Sequence, residues 1–149
     1  MDFEGVQAEW VLNRFPMNQL PEVAAQAMMA GFEGPFILDL VGYAAPSLPQ
    51  LKPETVEGAF REMGLPPLTK PQAVLVLARR VASRILRHEV SCRAGADAIQ
   101  DLALSFRPDE TPRFLWEFRY LGDYEEDWSR EDINFEKKVM QLAWSLLEE

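Results

Sequence analysis

One cysteine, Cys92, and one histidine, His88, are all that the 149 residues hold of either type. A lone thiol closes no intramolecular disulfide, so nothing staples the fold covalently and the redox compartment stays open. A zinc site needs about four ligands, and one His with one Cys falls short of that. No apolar run approaches the ~20 residues that span a bilayer. The first residues, MDFEGVQAEW, lack a basic n-region followed by an apolar h-region, so no secretory signal is expected and a cytoplasmic location is the default. Internal repeats, low-complexity segments, long heptad runs, Gly-rich phosphate loops and nucleophile elbows are all absent from the sequence. Basic residues are scarce: 15 Lys and Arg face 24 Asp and Glu, a formal net charge of -9. That charge opposes binding to nucleic acid and to anionic membranes. It suits a basic protein partner, although plain solubility accounts for it as well.

What is present is a series of helical patterns. The stretch Thr69 to Glu89, TKPQAVLVLARRVASRILRHE, organises the rest. Thr69 and Gln72 fit a capping box, and Pro71 falls in the first turn, where a missing N–H is harmless. Ala73 to Ala78 are apolar on every side, which predicts burial all round. Farther on, Val81, Ala82, Ile85 and Leu86 form an apolar stripe, with Arg80, Arg84 and Arg87 opposite. Such a helix of about twenty residues runs roughly 30 Å, the width of a small domain.

Other helices are predicted over residues 3–15, 21–30, 53–63, 92–106 and 130–147. Gly64 is expected just beyond the end of the 53–63 helix, with Pro66 and Pro67 preventing continuation. The run FILDLV at 36–41 is read as a short helix, because no second strand of matching quality is available to pair with it. Residues 114–121 alternate as a strand would, yet Phe114, Phe118 and Leu121 also make a helical stripe, and the all-helical context favours helix. The fold expected is all-α. It is a single-domain bundle of about seven to eight helices around a long central helix at 69–89. A subdomain boundary could fall in the Pro-rich loop 44–53. At this length a chain buries roughly 68–70% of its unfolded surface, enough for a proper core.

Four pieces read together: LPEVAAQAMMAGFEGPFILDLVGY, ETVEGAFREMGLP, PQAVLVLARRVASRILRHEVS and RAGADAIQDLA. In them the chain resembles a family of small, mostly helical, uncharacterised bacterial proteins. The resemblance covers about residues 20–104 and implies an all-helical fold. It carries no established function and no functional residues.

Two charge clusters are the candidate sites. Asp123, Glu125, Glu126, Asp127, Glu131 and Asp132 lie close together, with Glu136 nearby and Tyr124 and Trp128 interleaved. A calcium loop counted from Asp123 fails at both diagnostic places, since Trp128 stands where Gly turns the chain and Asn134 where a bidentate Glu is needed. The cluster then reads as an acidic face for a basic partner, with the aromatics as anchors. The simpler alternative is that these carboxylates solvate a loop and favour the N-terminus of the last helix. Trp128 discriminates, buried in the second case and exposed in the first. The other cluster is Arg79, Arg80, Arg84, Arg87 and His88, with Arg93 beyond. It could bind an anionic metabolite, or it could be the solvated face of the central helix. His88 and Cys92 are four apart, but a reactive Cys–His pair would need an exposed, electropositive thiol.

No cofactor, metal or catalytic residue is assigned. The function expected is a non-catalytic, acidic protein-interaction module, in one version immunity- or antitoxin-like and masking a basic effector. A binder or enzyme for an anionic metabolite near the arginine cluster is the alternative. A structural homo-oligomer using Met28, Met29 and Phe36 as its interface is a third reading.

Overall fold

The computed structural model describes residues 1–43, 50–121 and 133–148. The expected all-α class holds: among the described residues there are eight α-helices and no strand. The chain divides into two compact units, Met1–Ala73 and Val74–Glu149. The division falls within a helix.

The first unit contains α1 (Phe3–Val11), α2 (Leu20–Met29), α3 (Pro35–Val41) and α4 (Pro53–Glu62). Asp2 caps α1 by accepting from the Gly5 N–H at 3.0 Å. α2 packs on α3, and α3 on α4. Leu20, Val23, Ala24 and Ala27 of α2 meet Ile37 and Leu40 of α3 and Val56, Ala59 and Phe60 of α4 in one buried cluster. α1 joins through aromatic rings. Trp10 lies 6.0 Å from Phe60, and Phe3 stands edge-on to Phe32 at 6.0 Å, separations at which ring pairs attract.

Four helices stop in the same way. After α1, α2, α4 and α5 (Lys70–Leu86) the chain takes a positive φ at Asn13, Gly31, Gly64 and His88 respectively. In each case the next residue donates back five positions: Arg14 to Glu9, Phe32 to Ala27, Leu65 to Phe60 and Glu89 to Arg84, at 2.8–3.0 Å. These are Schellman caps, which satisfy carbonyls that the helix end leaves free. Gly64 stands where the sequence placed it. The first helix and the central helix are shorter than expected, because Asn13 and His88 turn left-handed and end them.

The second unit contains most of α5, then α6 (Cys92–Ala103), α7 (Trp116–Tyr120) and α8 (Ile133–Glu148). The capping box at the start of α5 forms in both directions: Thr69 N–H donates to Gln72 Oε1 at 2.8 Å, and Gln72 N–H to Thr69 Oγ1 at 3.4 Å. Val74, Ala78, Ala82 and Ile85 make the buried stripe of α5. Leu75, Val76 and Leu77 are half-buried, so the burial expected all round over 73–78 reduces to a stripe. Ser91 caps α6 by accepting from Ala94 N–H at 3.0 Å. Gly95 admits the Ile85 side chain where a Cβ would collide with it, which brings α5 and α6 together. α6 also packs on α7 and α8.

Residues 113–121 are helical, a 3-10 turn over Arg113–Leu115 leading into α7. Leu115, Phe118 and Leu121 are buried while Trp116 is 48% exposed. A strand would have buried Trp116 with Phe118, so the three-residue spacing of the buried positions settles the choice.

Candidate functional site

The acidic candidates Asp123, Tyr124, Glu125, Glu126, Asp127, Trp128, Glu131 and Asp132 lie outside the described residues, as do positions 44–49 of the Pro-rich loop. The flanking anchors are described. Leu121 and Phe135 are buried and line one recess of about 400 Å³ with Arg93, Asp97, Gln100 and Phe118. The Arg93 guanidinium lies 4.6 Å from the centre of the Phe135 ring, in cation–π range.

The arginine cluster divides. Arg84 and Arg87 both turn to Glu89, at 3.7 and 3.5 Å, and Arg87 Nε also donates to the Ser83 carbonyl at 3.4 Å. Their side chains are 54% and 63% exposed, so these pairs add little stability. Arg79 points elsewhere: its Nε donates to the Leu146 carbonyl of α8 at 3.1 Å. Arg80 is exposed. His88 is the left-handed residue of the α5 cap, and its side chain is exposed. The five residues grouped in the sequence are therefore two arginines sharing a carboxylate, one arginine tied to another helix, one exposed arginine and one capping histidine.

His88 and Cys92 do not share a helical face, because α5 ends at Leu86 and α6 begins at Cys92. Burial first, and the negative charge of Glu136 second, push the Cys92 thiol above its ordinary range. Both causes disfavour the thiolate, which is the nucleophilic form. Among the described residues no three His, Cys, Asp or Glu side chains group as a metal site would require. No described helix is long and apolar enough to cross a membrane.

Sequence reasoning singled out Met28, Met29 and Phe36 and missed their neighbours. Met28 and Met29 at the end of α2, and Phe36, Leu38 and Val41 on α3, are all exposed. The missed signal was available. α3 reads PFILDLV, apolar at nearly every position, yet a helix packed on one side buries only a stripe. Here that stripe is Ile37 and Leu40. In the second unit Leu104, Trp116, Trp144 and Leu147 are exposed in the same sense. The Trp116 indole N–H is satisfied by the Thr111 carbonyl at 3.0 Å, and its ring leans on Tyr120.

No family model matches the chain, and no curated protein and no solved structure matches it.

Proposed function

We propose that this protein is a non-catalytic interaction module that binds a basic protein partner, in the manner of an immunity protein or antitoxin masking a cationic effector. The observation that carries this reading is the exposure of large apolar side chains on a surface of one dominant charge. Met29 is 81% exposed and Leu38 58%. Both units are acidic: nine Asp and Glu against four Lys and Arg over residues 1–73, and fifteen against eleven over residues 74–149. Protein interfaces combine apolar anchors with a polar rim, and opposite charge on the partner speeds and orients docking. The residues of the arginine cluster favour this reading over an anion site, since an anion would compete with Glu89 for Arg84 and Arg87.

The test is affinity capture from the native cell extract at low salt, eluted with a salt gradient and identified by mass spectrometry. It is run beside a variant with Asp123, Glu125, Glu126, Asp127, Glu131 and Asp132 changed to their amides. A basic protein that leaves at moderate salt, and that the variant fails to hold, is the expected result. Equal capture by the variant overturns the acidic face.

A further inference from the structure

We infer that the exposed apolar side of the α2–α3 hairpin is a docking surface for the apolar face of a basic amphipathic helix. The inference rests on the basic-partner reading and gives that partner a form and a place to bind. Leu38 and Val41 are three apart, so they neighbour one another on α3. They are 58% and 39% exposed, while Met28 and Met29 at the end of the adjoining α2 are 43% and 81% exposed. Phe36 rests its ring over Gly58 of α4, at a place where a Cβ would collide with it. Phe36 is two positions from Leu38 and so belongs to the α4 side of α3, apart from this surface. Unbranched methionines make a surface that adapts to varied apolar side chains.

Charge selects the occupant. No Lys or Arg occurs between Arg14 and Lys52, whereas Glu22, Glu33 and Asp39 lie in that interval and are exposed. α4, which packs on α3, adds Glu54, Glu57 and Glu62 against Arg61. A second copy of this chain meeting the same face across a two-fold axis would set Glu33 and Asp39 against their own equivalents, a like-charge arrangement that costs affinity. An anionic membrane is repelled for the same reason. A helix with leucines on one side and lysines along its flanks satisfies both the apolar residues and the carboxylates. Laying such a helix on an apolar surface is a recurring mode of recognition.

The experiment titrates the full chain into a fluorescein-labelled synthetic Leu/Lys amphipathic helix and follows anisotropy at low salt. The variants are Leu38→Glu, Met29→Glu, the control Trp144→Glu in the second unit, and the amide variant of the 123–132 cluster. The exposed positions tolerate substitution, and a matching thermal unfolding profile checks this. The expected result is binding that weakens about tenfold or more in Leu38→Glu and Met29→Glu and is unchanged in Trp144→Glu, the scale of an interface anchor. Unchanged binding by Leu38→Glu and Met29→Glu overturns the inference. If the amide variant alone then loses the peptide, the basic-partner reading survives without this surface. A wild-type dimer in sedimentation that Leu38→Glu dissociates also overturns the inference, in favour of a second copy. Absence of binding by the wild type overturns it as well, and capture from extract then decides separately whether the acidic module stands.

Discussion

Ile37 donates its backbone N–H to the Glu62 carboxylate at 2.8 Å, and Phe36 donates to the other oxygen of the same group at 3.2 Å. The last residue of α4 therefore caps the first turn of α3. Gly34, at the N-cap position of α3, has no side chain to do so. Its φ of 164° is extended backbone open to any residue. Space is what requires glycine there, because a Cβ would occupy the place of the Glu62 carboxylate. Glu62→Ala should cost about 1 kcal/mol, the usual worth of a cap. Gly34→Ala should cost a similar amount by displacing the same carboxylate. The double variant should be no worse than either single one, since both remove one interaction. Chemical denaturation of the four proteins measures this, and additive losses would refute the shared cap.

Arg119 of α7 closes the far end of α6. Its Nη1 donates to the Ala103 carbonyl at 2.8 Å and to the Phe106 carbonyl at 3.1 Å, while Gln100 Nε2 returns a bond to the Arg119 carbonyl at 3.1 Å. Removing the guanidinium in Arg119→Met should cost about 1.5–3 kcal/mol, the range for bonds from a charged donor. Arg119→Lys should fall between, because an ammonium keeps the charge without the planar fork. A Met variant as stable as wild type in urea would show that these bonds contribute nothing net.

His88 holds a left-handed conformation, φ 58°, that glycine adopts without steric cost. His88→Gly should raise stability by up to about 1 kcal/mol, the relief of that conformation less the added entropy of the unfolded chain. Gly64→Ala should lower stability by about 1 kcal/mol by the reverse argument. Thermal unfolding of the pair should therefore move in opposite directions, and a fall for His88→Gly would point to an unrecognised role for the imidazole.

Cys92 should react slowly. Burial and Glu136 both raise its pKa, so at a given pH the folded protein holds less thiolate than a free cysteine does. Alkylation by iodoacetamide at pH 8 should be slower than for a small thiol and should rise as pH passes above the ordinary thiol range. Glu136→Gln removes one of the two causes and should shift the profile toward lower pH. A rate at neutral pH above that of free cysteine would reverse this picture and restore the idea of an activated thiol.

How far the sequence could be read depends on the range of each interaction. The Thr69–Gln72 capping box and Gly64 were visible because their partners lie within a few residues. The end of α5 was not, because the left-handed residue there is a histidine and carries no glycine signal. The arginine cluster looked like one site because helical spacing gives the direction of a side chain but not the group that waits for it. Arg79 finds a carbonyl sixty-seven positions away, whereas Arg84 and Arg87 find Glu89 close by.

By itself, the sequence determined the helical class, most helix starts, the capping box of α5 and the acidic character of both halves. Each of these follows from hydrophobic period, capping residues and charge, which act over one or two turns. Tertiary structure alone decided that Trp116 stays exposed while Leu115 and Phe118 go in, that Glu62 caps α3, and that Leu38 and Val41 remain outside while Ile37 and Leu40 go in. A seven-residue helix with Asp39 as its one polar residue has little polar side to orient it. Only the positions of α2 and α4 select which of its faces becomes core, and that choice leaves the other face exposed.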